Sequence, residues 1–149
     1  MTAFLVFLAD YSTKHAAVKF LIEGPIEIFG NVFKLQLVFN TGAAFSIATN
    51  GTIFLSGFSV AVAAGILCFV SRVDSNIWAL GLGLVLGGIF GNLSDRIFRE
   101  PYGLQGAVVD WISVLSWPTF NIADSAVVVG VLLIVSLIWK KVPPRLVTK

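Results

Sequence analysis

Asp110 and Asp124 are the residues whose type and surroundings best suit them for chemistry. Neither has a Lys or Arg within four residues along the chain. Asp110 lies between Ala107-Val108-Val109 and Trp111-Ile112, and Asp124 closes the run Phe120-Asn121-Ile122-Ala123. A link of 13 residues allows them to approach each other. Two carboxylates close together in a low-dielectric site cannot both ionise readily, so they share a proton. Such a pair can hydrolyse an amide, because the ionised member takes a proton from water while the protonated one donates to the carbonyl oxygen. Spacing alone leaves the blander alternative open, two unrelated surface aspartates.

Other candidates have simpler explanations. Asp10 has Lys14 one helical turn on, a spacing at which the two charges neutralise each other. Asp95 is followed by Arg96 and preceded by Asn92, so it is expected to pair with that arginine or cap a helix end. A serine–histidine pair would require His15, the only histidine, which sits beside Lys14. A hard cation would want more oxygen ligands than Asp95, Asp110 and Asp124 supply, so no metal is expected. Cys68 is single and cannot form an internal disulfide.

The elements that must position these groups are set by composition. Charged residues make up 12% of the chain, against about 25% in an average soluble domain. Mean hydropathy is +0.93, so the surrounding solvent must be largely lipid. A net charge of +2 gives no reason to expect nucleic acid as a partner. A spanning helix needs about 20 mostly apolar residues. Residues 3–22, 53–70, 77–93 and 120–139 qualify, the first despite Asp10, Lys14 and Lys19. The expected fold is therefore an all-α membrane protein with four transmembrane helices, in one domain over residues 1–149. Met1–Ala9 lacks a basic n-region and a cleavage site, so it reads as helix rather than as a removable signal peptide.

Two connections are long and fall on one side. Within Glu23–Thr52, the stretch Ile26–Phe39 interleaves β-branched and aromatic residues with polar ones around Gly30-Asn31, which suggests a small surface sheet. The other, Arg96–Thr119, reads as a loop rich in Gly, Pro and Trp. The opposite side has only the turn Ser71–Ser75. Lys and Arg divide equally between the sides, but four of them crowd the last ten residues, which favours a cytoplasmic C-terminus and, with four spans, a cytoplasmic N-terminus. Gly83, Gly87 and Gly91, with Gly81 and Gly88, read as a seam where helices pack closely.

Five segments, in order, resemble the motif series of bacterial lipoprotein signal peptidases. They are Asp10-Tyr11-Ser12-Thr13-Lys14, Asn40-Thr41-Gly42-Ala43-Ala44-Phe45-Ser46, Gly87–Arg96, Val108-Val109-Asp110-Trp111 and Phe120–Ala126. The resemblance implies an aspartic endopeptidase of the inner membrane, with its site towards the outer face and a small sheet as extramembrane cradle. It implies a substrate in the form of a prolipoprotein carrying diacylglycerol on its cysteine, cut just before that residue. Asp110 and Asp124 would be the catalytic pair; Asn40, Gly42, Asn92, Arg96 and Asn121 would line and order the site. Asp10 and Lys14 would support it from the first helix, and Asp95 would brace the loop. No metal or cofactor is implied, membrane lipid is the surrounding partner, and a monomer suffices. Only nine residues precede Asp10, a short first helix for this family; Tyr11 replaces the usual Gln and Trp111 the usual Phe. Two rival readings are a small transporter, which would spread its carboxylates through the membrane depth, and a non-catalytic scaffold held by the glycine seam.

Overall fold

A computed structural model describes residues 1–30, 32–42 and 50–144. Among the described residues, four helices and three strands follow one another as α1 (Thr2–Phe20), β1 (Ile26–Glu27), β2 (Phe33–Asn40), α2 (Asn50–Val70), α3 (Asn76–Phe98), β3 (Val108–Val114) and α4 (Ile122–Trp139). Three helical stretches, Gly51–Val70, Asn76–Phe98 and Ile122–Trp139, are long and apolar enough to cross a membrane. The fourth helix, α1, has 19 residues and carries Asp10, Lys14 and Lys19. Its buried residues are Asp10, Lys14 and Ala17, all on one helical face, while Phe4, Leu5 and Leu8 are exposed. The helix is thus polar inside and apolar outside, the reverse of a helix in a water-soluble core.

Helix α3 is the centre of the packing, with α1, α2 and α4 all set against it. Its glycines serve two neighbours. A Cβ on Gly83 would meet Thr2, and one on Gly87 would lie 2.7 Å from Ala3 O and Val6 Cβ, so this stripe receives α1. Gly81 and Gly88 face Ile134 and Ala123 of α4. The expected seam is therefore double. Helix α2 turns Thr52 and Ser56 inward and keeps Ile53, Phe54 and Phe58 outside.

The strands form one antiparallel sheet in the order β1-β2-β3. Strand β3 departs from the loop expected over Arg96–Thr119. Seven of its residues, Val108–Val114, pair with β2, placing Val38 opposite Asp110 and Asn40 opposite Val108. Alternation along β3 sends Val109 and Trp111 into a cluster with Ala17 and Leu21 at the end of α1. It sends Asp110 to the opposite face. The third apolar span also runs further than Leu93: α3 continues to Phe98 and carries Asp95 and Arg96 within it. The turn expected at Gly30-Asn31 and the motif residues Ala43–Ser46 lie partly or wholly outside the described residues, as do Arg145 and Lys149.

Candidate active site

Asp110 and Asp124 come together because β3 folds back on the residue that precedes α4. Ile112 and Phe120 donate to each other's carbonyls at 2.8 and 2.9 Å, closing the intervening loop. Asn121 follows immediately as the N-cap of α4. Its side chain accepts from Asp124 N and the Asp124 carboxylate accepts from Asn121 N, a reciprocal capping box. Ala123 N is satisfied differently, donating to Asp10 Oδ1 at 2.9 Å. The helix start that carries Asp124 is thereby tied to α1.

Three asparagines then turn their NH2 groups on the two carboxylates. Asn121 Nδ2 donates to Asp110 Oδ1 at 2.7 Å, and Asn40 Nδ2 donates to Asp110 Oδ2 at 2.9 Å. Asn92 Nδ2 donates to Asp124 Oδ1 at 2.7 Å, while Asn121 N reaches Asp124 Oδ2 at 3.1 Å. Each amide is oriented by what its oxygen accepts: Gly42 N for Asn40, Lys14 Nζ for Asn92 and Asp124 N for Asn121. Gly42 has φ +80°, the left-handed region that favours glycine, and a Cβ there would sit 3.3 Å from Thr52 Oγ1.

All four carboxylate oxygens accept an N–H, which fixes how both groups are turned. Both carboxylates line a cavity of about 160 Å³ with Asn40, Ser56, Ser59, Asn92 and Arg96. Asp110 is only 1% exposed. Burial pushes its carboxyl up to about 6, and the Asp124 charge adds to this, while the N–H groups of Asn40 and Asn121 and the Lys14 charge oppose it.

The remaining residues form the surrounding frame. Lys14 pairs with Asp10 at 2.7 Å, as the spacing suggested. Asp95 does not pair with Arg96, however. Its partners are Lys14 at 2.9 Å and Arg99 at 2.5 Å, and it also accepts from Val109 N, which steadies β3 beside Asp110. Helical geometry explains the difference: adjacent residues point apart, whereas Arg99 is one turn on. Arg96 instead donates to Asn40 O at 3.1 Å and Gly106 O at 2.9 Å, joining the end of β2 to the loop before β3. Sequence reasoning passed over Ser56, which donates to Leu104 O at 2.7 Å, and Ser59 beside it. Their signal was present as Thr52, Ser56 and Ser59 at helical spacing in an otherwise apolar run.

Comparison with known proteins agrees with this architecture. The family described as Signal peptidase (SPase) II matches residues 2–140. The lipoprotein signal peptidase of Mycobacterium leprae (strain Br4923) is 48% identical over 136 residues, spanning 91% of this chain and 68% of that protein. That of Rhodococcus jostii (strain RHA1) is 48% identical over 134 residues, 89% of this chain and 68% of the relative. A bacterial membrane enzyme solved by the in meso method at 1.9 Å has a TM-score of 0.81 at 26% identity, covering 93% of this chain and 90% of its own.

Proposed function

The chain belongs to the signal peptidase II family, and on that premise we propose that it removes signal peptides from prolipoproteins with Asp110 and Asp124 as its catalytic pair. One observation carries the assignment of residues. Asn121 holds both carboxylates at once, Asp110 through its side-chain N–H and Asp124 through its backbone N–H. A single N-cap thus keeps two acids beside one cavity.

The chemistry follows from the environments. Asp110, buried and pushed up to about 6, is the member that carries the shared proton. With the shared proton on Asp110, Asp124 in the first turn of α4 is the member left without one. Asp124 takes a proton from water as the water oxygen attacks the scissile carbonyl carbon. Asp110 gives its proton to the carbonyl oxygen, forming a neutral gem-diol. Asp124 then gives its proton to the departing nitrogen while Asp110 takes one from a gem-diol hydroxyl, so the C–N bond breaks, the acid product forms and the pair again holds one proton. Every proton stays with the two carboxylates and the substrate.

In this reading residues 1–149 act as one domain, with α1 as a fourth span whose charged stripe faces α3. Both termini are cytoplasmic, in the bacterial cell (inner) membrane. The sheet and the site then lie towards the outer face. The substrate is a prolipoprotein whose cysteine already carries diacylglycerol, and the cut falls just before that cysteine. The lipid enters from the bilayer, where α2, packed chiefly on α3, leaves its outer face apolar. Mass analysis of the products made by purified protein from modified and unmodified prolipoprotein tests this. A new N-terminus at the lipidated cysteine alone is the expected result; equal cutting of the unmodified precursor would remove the lipid requirement.

A further inference from the structure

Lys14 makes more contacts than charge balance requires. It is 1% exposed, pairs with Asp10 Oδ2 at 2.7 Å and Asp95 Oδ2 at 2.9 Å, and donates to Asn92 Oδ1 at 3.0 Å and Gly91 O at 3.4 Å. Asp95 is also paired with Arg99, so two cations already offset two anions in this group. The hydrogen bond to Asn92 therefore does something other than neutralise a carboxylate.

That bond decides which way Asn92 points. A lysine ammonium has no acceptor, so the Asn92 atom facing it must be the carbonyl oxygen. The same oxygen accepts from Asn121 Nδ2 at 3.1 Å. The Asn92 NH2 group is then left to face Asp124 Oδ1 at 2.7 Å. A reversed amide would set N–H against ammonium and carbonyl against carboxylate, both repulsive. Proximity of the cation also polarises the amide and strengthens its N–H as a donor.

We propose that Lys14 is a positioning residue for peptide-bond hydrolysis, acting through Asn92 to hold the Asp124 carboxylate aimed at the attacking water. The inference rests on the reading of Asp110 and Asp124 as the reacting pair. Lys14 touches neither carboxylate of that pair directly; beside the effect of its charge on Asp110, its side-chain hydrogen-bonded route to Asp124 runs through Asn92.

A double-mutant cycle on the purified full chain, with a diacylglyceryl-modified prolipoprotein as probe, tests this route. Turnover is counted per folded molecule for Lys14→Met, Asn92→Leu and the two combined. Removing a preorganised donor from a site of this kind costs on the order of 100-fold in kcat, so Asn92→Leu is expected near that loss, with KM little changed. Lys14→Met is expected about 30-fold down, and the combination no worse than Asn92→Leu alone, because coupled residues are not additive. Losses that multiply to about 3,000-fold, or a Lys14→Met protein that unfolds more readily at wild-type kcat, would overturn the proposal. Lys14→Met leaves Asp10 buried without its counter-ion, so the cycle is repeated in an Asp10→Asn background where that charge is absent. Asp124→Asn, run alongside, separates the two levels. If it cuts normally, the reading of the pair fails; if it is dead while the losses multiply, only the role of Lys14 fails.

Discussion

At Asp110 the proton affinity is set mainly by burial, opposed by the Asn40 N–H, raised by the Asp124 charge and lowered again by Asn121. The active form needs that proton, so kcat/KM is expected to fall as pH rises through about 6. The limb belongs to the pair rather than to one residue. Asn40→Leu removes an N–H that favours the ionised carboxylate. The limb should therefore move to higher pH, by about one unit for a hydrogen bond to a charged group. A pH–rate profile of the variant checks this, and a shift to lower pH would contradict the assignment. Much at this scale was legible in the chain: Asp110 and Asp124 stood out because no cation lay near either. The partner of Asp95 was not. Sequence neighbours suggested Arg96, whereas the helix delivers Arg99 and folding delivers Lys14 from a segment about eighty residues away.

The elements matter because two helix contacts and one cap locate the pair. A Cβ on Gly88 would clash with Ala123 O, at the first turn of the helix that carries Asp124. Gly88→Val is expected to cost about 1–3 kcal/mol of stability through overpacking, measurable as a lower Tm in detergent, and to displace Asp124 with loss of turnover. Asn121→Ala removes the cap and is expected to cost about 1 kcal/mol from that term alone. Its turnover should fall far more than its Tm, because Asp110 loses a donor as well. Apolar runs made α2, α3 and α4 readable, and the mixed pattern of Ile26–Phe39 indicated the sheet. Strand β3 was not read: Val108, Val109, Ile112 and Val114 carried a strand signal, but Gly, Pro and Trp around them suggested a loop. Its partner, β2, lies some seventy residues earlier, beyond the reach of local pattern.

For the whole molecule, composition alone established the membrane setting, and the apolar outer surface is its structural counterpart. Phe54 on α2 and Leu132 on α4 are 73% and 64% exposed, positions that only lipid makes favourable. The topology can be tested with single cysteines in a Cys68→Ala background. Asp74→Cys and Lys140→Cys should react with an impermeant reagent only from the cytoplasmic side, and Glu27→Cys only from the outer side. Reaction of all three from one side would remove the four-span arrangement. The central claim, that Asp110 and Asp124 together break the peptide bond, is met most directly by turnover of Asp110→Asn and Asp124→Asn on a diacylglyceryl-modified prolipoprotein, per folded molecule. Each substitution keeps shape while removing a titrating proton. Each is expected to lower kcat by about four orders of magnitude with folding retained. Near-normal cleavage by either well-folded variant would contradict the account.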